Sequence, residues 1–207
     1  LKFIYGVRYD FYNYPEGDPT APFEYSRAFN VDRNNIGPRL GAAWSLNDRT
    51  VVRASTGIMY DQPLLAAYEN AVQSNGVRSV TLSLSPTSAG APAFPSSLSG
   101  TSGITLPTQS ISAVDPAFST MRTLQSNVQL DRAIGTSYSA SVGFVYVKGY
   151  DLPVVTNINL INPVGTLADG RPIYSTSVSA ATRMDPRFNQ ISTVQSIGES
   201  TYSGLTF

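Results

Sequence analysis

Arginines and carboxylates set the chemistry open to this chain. Arg8, Asp10, Arg39 and Arg53 fall at positions that share one side of alternating segments. There they can pair with one another or meet a charged ligand. Further carboxylates, Glu16, Asp18, Asp32, Asp151, Asp169 and Asp185, sit in connecting stretches, but their spacing is not that of an EF-hand loop. No metal or other cofactor is assigned to them. Tyr12, Tyr14, Phe23, Tyr25 and Phe94 lie in the same kind of stretch, where aromatic rings can stack on sugars or pack a peptide. The 207 residues contain no cysteine and no histidine. This removes disulfides and thiolate nucleophiles. It also removes the usual general base and the commonest metal ligand, so neither a serine triad nor a zinc site can be built. A hydroxyl nucleophile would need activation by a carboxylate or by Lys2 or Lys148, the two lysines of the chain. The expectation is therefore binding rather than catalysis. Fourteen basic and fourteen acidic residues cancel, leaving no electrostatic footprint for nucleic acid.

The elements that must hold these side chains are short runs of alternating apolar and polar residues. Residues 1–12 place Leu1, Phe3, Tyr5, Val7, Tyr9 and Phe11 on one face, and Lys2, Gly6, Arg8 and Asp10 on the other. Period two is the signature of a strand. Residues 36–46 and 50–60 repeat the pattern, with Leu40, Ala42, Trp44 and Leu46, then Val52, Ala54, Ile58 and Tyr60, on the apolar face. Arg39, Gly41, Arg53, Ser55 and Gly57 take the polar one. A fourth strand is expected around Leu124 to Leu130, and the clearest over 136–148, whose apolar row is Tyr138, Ala140, Val142, Phe144 and Tyr146. Residues 189–197 and 201–207 read as two more strands, joined by a turn at Gly198 and Glu199.

Alternation alone fits a soluble β-sandwich, with the apolar face turned to a core, and a transmembrane barrel, with that face turned to lipid and the charged face lining the interior. The connections discriminate. Residues 13–35, 61–119 and the stretch after Gly149 are long and rich in Gly, Pro, Ser and Asn. Those at 47–49, 131–135 and 198–199 are tight turns. Long connections at one rim and short turns at the other belong to outer-membrane barrels. An extracellular hairpin is expected over 77–85, and loops on a rigid scaffold are where ligands are usually captured. Trp44 and Tyr138 then lie near the periplasmic ends of their strands, and Phe11, Tyr60 and Tyr146 near the extracellular ends. Those are the two levels of an aromatic girdle. Parity puts Arg39 on the face of Arg8 and Asp10, opposite one of them, and lets Gly41 face Gly57. No run is long enough for a membrane helix. No export signal is visible, so the chain is expected to be an internal piece of a larger protein.

Residues 36–63, 127–163 and 183–207 resemble the barrel of TonB-dependent outer-membrane receptors. The likeness is closest to the large acidobacterial type with a carboxypeptidase-regulatory-like domain. It rests on Pro38-Arg39-Leu40-Gly41 followed by Trp44, on Gly57-Ile58-Met59-Tyr60-Asp61, on Val128-Gln129-Leu130 with Arg132, and on Ser141 through Gly149. The resemblance implies an all-β, antiparallel, up-and-down transmembrane barrel of about 22 strands, of which 1–207 supplies about seven as part of one domain. It further implies the bacterial outer membrane as location. The implied partners are the lipid bilayer, a plug domain of the same parent chain, TonB acting through that parent, and a nutrient ligand. Plug and N-terminal regions fall outside these residues. The alternative from the residues alone is an extracellular β-sandwich adhesin or carbohydrate-binding protein.

Overall fold

A computed structural model describes residues 1–62, 64–100 and 104–207. Pro63 and residues 101–103, which belong to the long connection expected over 61–119, lie outside the described residues. Six strands form an antiparallel wall in chain order. They are β1 (Lys2–Tyr9), β2 (Ile36–Asn47), β3 (Thr50–Tyr60), β5 (Arg122–Ile134), β6 (Tyr138–Asn157) and β9 (Phe188–Thr206). A seventh, β4 (Gln109–Val114), lies on the far edge of β9 and runs parallel to it. The connections carry helix α1 (Leu65–Gln73) and a small hairpin of β7 (Gly165–Thr166) and β8 (Pro172–Ile173).

The wall forms because its residues alternate. Directly paired residues of neighbouring strands point to the same side. Phe3 meets Ala42, Trp44 meets Val52, Ala54 meets Val128, and Val128 meets Phe144, which meets Leu205. This apolar face has no second sheet against it: Phe3 is 63%, Tyr5 87% and Trp44 55% exposed. A sandwich would have buried it. Every buried apolar side chain among the described residues lies outside β1, β2, β3, β5 and β6. The wall thus has no core of its own, as expected where lipid covers the apolar rows.

The long connections pack at one end of the wall. Tyr68, Ala71, Val114 and Phe118 form one buried cluster with Tyr14, Phe29 and Val194 against it. Ile111, Phe188 and Ile191 form another, with Phe23 and Ile158. β6 and β9 make this possible. They run for 20 and 19 residues, whereas a tilted membrane strand needs about 9–11. Their surplus stands beyond the wall. There β4 pairs with β9, and α1 and residues 10–35 cover the extension.

Several expectations are corrected. β9 is one strand, with no turn at Gly198 and Glu199. The local composition of a turn is overridden because β6 supplies a partner on both sides of it, from Gly143 opposite Thr206 to Asn157 opposite Ser192. Two register shifts break the ladder here, one between Gly149 and Leu152 that absorbs an extra residue of β6, and one between Leu152 and Pro153 that absorbs an extra residue of β9. β6 does not end at 148 but runs to Asn157, and Asp151 takes φ of 58° in the shifted stretch. Residues 77–85 form no strand, since alternation without a partner strand leaves the backbone hydrogen bonds unmet. The second tight turn falls at 135–137 rather than 131–135, and Gly135 takes φ of 66° there. β1 ends at Tyr9, so Phe11 lies just past the strand. Gly41 pairs with Ser55 and Gly57 with Arg39, so the two glycines lie on one face but not opposite.

Candidate functional site

The polar face of the wall is a grid of cross-strand rows. One row runs Lys2, Ala43, Arg53, Gln129, Gly143; the next Ile4, Gly41, Ser55, Asn127, Val145; the next Gly6, Arg39, Gly57, Gln125, Val147. Arg8 lies one row further, opposite Gly37. Arg39 therefore stands opposite Gly6 and Gly57, not opposite Arg8 or Asp10: the pairing begins at Tyr9 with Ile36, two positions short of what that would require. Arg8 instead donates from Nε to Oδ1 of Asp10 at 2.7 Å. Asp10 is buried past the end of β1, where its backbone N–H donates to the Asn35 carbonyl at 3.0 Å. Arg53 pairs with Asp131, whose other oxygen accepts from Gln129 Nε2 at 2.7 Å. Thus Arg53 has a carboxylate partner within the wall and Arg8 has one just past it, and Arg39 has none among the described residues. Around Arg39 lies a concavity of about 430 Å³ that Gly6, Gly41, Ser55, Gly57, Gln125 and Asn127 help to line.

The cap binds its own aromatics more than it displays them. Tyr14 stacks on Tyr68 at 4.5 Å between ring centroids, and Phe29 and Phe118 meet Tyr68 edge-on. Phe23 packs edge-on against Phe188 and also meets Tyr25. Of the five aromatic loop candidates, Tyr12, Tyr14, Phe23 and Tyr25 are half-buried, while Phe94 is 99% exposed. Burial, with the Asp10 carboxylate nearby, pushes the Tyr12 hydroxyl above its ordinary pKa. Burial does the same more strongly to Tyr68.

Most carboxylates of the loops are taken up by nearby groups, whereas Glu16 is exposed. Asp18 accepts from the Thr20 hydroxyl at 2.6 Å and backbone N–H at 2.9 Å, and from Asn75 at 3.2 Å. These bonds, with Arg78 nearby, hold it below the usual carboxylate range. Arg187 does the same for Asp185, at 2.6 Å. Asp151 pairs with Arg122, and Asp169 with Arg171. No group of three metal-ligating carboxylates occurs among the described residues.

Sequence reasoning missed the fixings of the cap. Asn159, fully buried, donates to the carbonyls of Asp185 and Phe188 and accepts from the Asp185 N–H at 2.7 Å. Arg183 donates to the carbonyls of Asn189, Ser175 and Thr182. Asn35 and Thr120, both buried, meet at 3.4 Å, and the Thr120 N–H donates to Asp32 at 2.8 Å. Each is a single polar residue in a connection, and no sequence pattern sets it apart from the other polar residues there.

Trp44 and Tyr138 lie by the tight turns, and Tyr60 and Phe11 by the long connections. Tyr146 is on the apolar face opposite Ser126. Strand rise and the usual tilt put Tyr138 and Tyr146 roughly 20 Å apart along a barrel axis, close to the height of a lipid-facing band. A family model described as outer membrane beta barrel domain matches residues 1–207. The chain belongs to that family. No curated protein sequence matches it. Among solved structures it is similar to the siderophore receptor PirA from Pseudomonas aeruginosa, with 11% identity and a TM-score of 0.43. That match covers 86% of this chain and 24% of the receptor chain, so the chain spans about a quarter of that length. As an outer membrane β-barrel domain it resides in the bacterial outer membrane. Its apolar rows contact lipid, and its polar grid faces the barrel interior.

Proposed function

We propose that this domain is part of the wall and extracellular rim of a TonB-dependent receptor that takes up a nutrient, either an oligosaccharide, a peptide or a metal chelate. A plug domain of the parent chain fills the interior, and TonB reaches the receptor through that parent. The three stretches that resemble such receptors map onto β2 and β3, onto β5 and β6, and onto β9. The observation that carries the reading is the sorting of connections. Three long ones gather at one rim and pack into a cap, while the other rim has only tight turns. A cap on strands that overshoot the membrane gives the cell surface a structured place to meet a solute, and the polar grid below gives it a wet route. The role assigned to the charged and aromatic residues is binding and passage, without catalysis.

The test is uptake by cells with and without the gene, for labelled members of each nutrient class, before and after the inner-membrane proton gradient is collapsed. The reading expects gene-dependent uptake of one class that stops on collapse. Uptake indifferent to the gradient would leave a passive pore, and no gene-dependent uptake of any class would overturn the transport role.

A further inference from the structure

Among the charged groups of the inner grid, Arg39 is set apart by its neighbours. Its cross-strand partners on both sides are glycines, Gly6 and Gly57, so no side chain of its own row shields the guanidinium. A Cβ on Gly57 would lie 3.0 Å from Arg39 Cγ, which shows that the arginine stem rests directly on that backbone. A Cβ on Gly6 would meet nothing within 4 Å, so the opposite side is open. Two carboxamides line the same concavity. The Ser55 hydroxyl donates to Asn127 Oδ1 at 3.1 Å, which occupies the acceptor end of that amide and leaves its NH₂ to donate outward. Gln125 stands next to Gly57 in the row of Arg39 and lines the concavity with it.

The geometry points to a carboxylate-binding seat formed by Arg39, Asn127 and Gln125. A planar guanidinium fork matches a planar carboxylate in two parallel hydrogen bonds, and the amide groups add donors around it. One unpaired cation at the concavity suits a monoanion. A phosphate dianion would call for a second free cation beside it, whereas Arg8 and Arg53 are held by Asp10 and Asp131, and Lys2 stands two rows from Arg39 and outside the lining. The carboxylate has two possible sources, an acidic side chain of a protein segment filling the barrel or a carboxylate of a solute passing through. The seat rests on the polar grid facing the interior, and stands whether or not the protein imports a nutrient.

The experiment uses the native protein extracted from outer membranes in detergent, labelled with nitrogen-15 in arginine. The Arg39 Nε–H resonance is identified by its loss in Arg39→Lys, with retained heat-modifiable gel mobility as the check of folding. If that variant does not fold, Gly6→Val fills the open side of the concavity without touching the ladder and identifies the same resonance by its shift. Sodium acetate is titrated against sodium chloride of equal ionic strength. A solute seat gives a free-arginine resonance that acetate moves and chloride does not, with acetate affinity falling about tenfold in Asn127→Leu, the order expected for one hydrogen bond to a charge. A seat filled by the protein gives a resonance already shifted, deaf to acetate, and returning to the free position when acid protonates the partner. A free resonance that acetate moves no more than chloride, or a shifted one indifferent to acid, overturns the proposal.

Discussion

At the residue scale, one side chain can be wrong in two different ways. Tyr68 buries its ring between Tyr14, Phe29 and Phe118, but its hydroxyl finds no hydrogen-bond partner. Removing the ring and removing the hydroxyl should therefore act in opposite senses. Tyr68→Ala leaves a cavity and is expected to destabilise the cap by about 3–5 kcal/mol, read as faster protease cleavage within residues 64–73. Tyr68→Phe is expected to leave cleavage unchanged or slow it, because a buried unmet hydroxyl costs more than its absence. Asp18 gives the pH counterpart. Its folded pKa lies below the ordinary 3.8, chiefly through the two Thr20 bonds, with Asn75 and Arg78 adding to them. The stabilisation is present above 3.8 and is lost as pH falls through the lower folded value. Amide protection over residues 75–79, taken relative to the unfolded chain at the same pH, should thus fall at the acid end in the native protein, and lose that dependence in Asp18→Asn. The face of Arg8, Arg39 and Arg53 was legible in the sequence because parity alone fixes it. Their partners were not, because a register set two positions away decides whether an arginine meets a carboxylate or a glycine.

At the element scale, the strands that were easy to read are those whose two faces differ most. β2 and β3 match expectation almost residue for residue, since a charged row and an apolar row leave one way to lie. β9 was read as two strands because Gly198 and Glu199 have turn chemistry and because both faces of its first half are covered by loops, which erases alternation. α1 was missed for a related reason. It buries only Tyr68 and Ala71, too short a stripe to stand out from a loop. The structure gives Gly198 a different task. A Cβ there would lie 2.9 Å from the Leu152 carbonyl oxygen and 3.0 Å from Leu152 Cβ, so glycine is what lets β9 follow β6 through its irregular stretch. Gly198→Val is expected to loosen the cap while sparing the wall. Heat-modifiable mobility should persist, with raised amide exchange over 188–194 and 109–114. Loss of the mobility shift as well would mean that the overhang and the wall form one unit.

At the scale of the whole molecule, fold class was readable because connection lengths, unlike face patterns, distinguish a membrane wall from a sandwich. The cap was not, because its packing joins residues that no local pattern links. Among the described residues the six-stranded wall has two bare edges, that of β1 and that of β9 beyond the reach of β4. Unpaired backbone groups are not tolerated in lipid, and in water they template association. The 207-residue chain alone is therefore expected to elute as polydisperse material from size-exclusion columns, in detergent as in buffer, unless strands that close the sheet are supplied. A monodisperse monomer in buffer would contradict the exposed apolar face. The parallel pairing of β4 with β9 carries a consequence for time as well as for space. Hairpins such as β2 with β3 close as soon as both arms exist, but Asp115 waits for Gln195, 80 residues further on. Contacts this distant in the chain form late. The wall has such seams too, since Thr50 meets Arg132 across 82 residues, so the tight hairpins β2 with β3 and β5 with β6 are the first parts to be born, and a nascent barrel passes through a stage of separate hairpins whose outer surface is still unfurled.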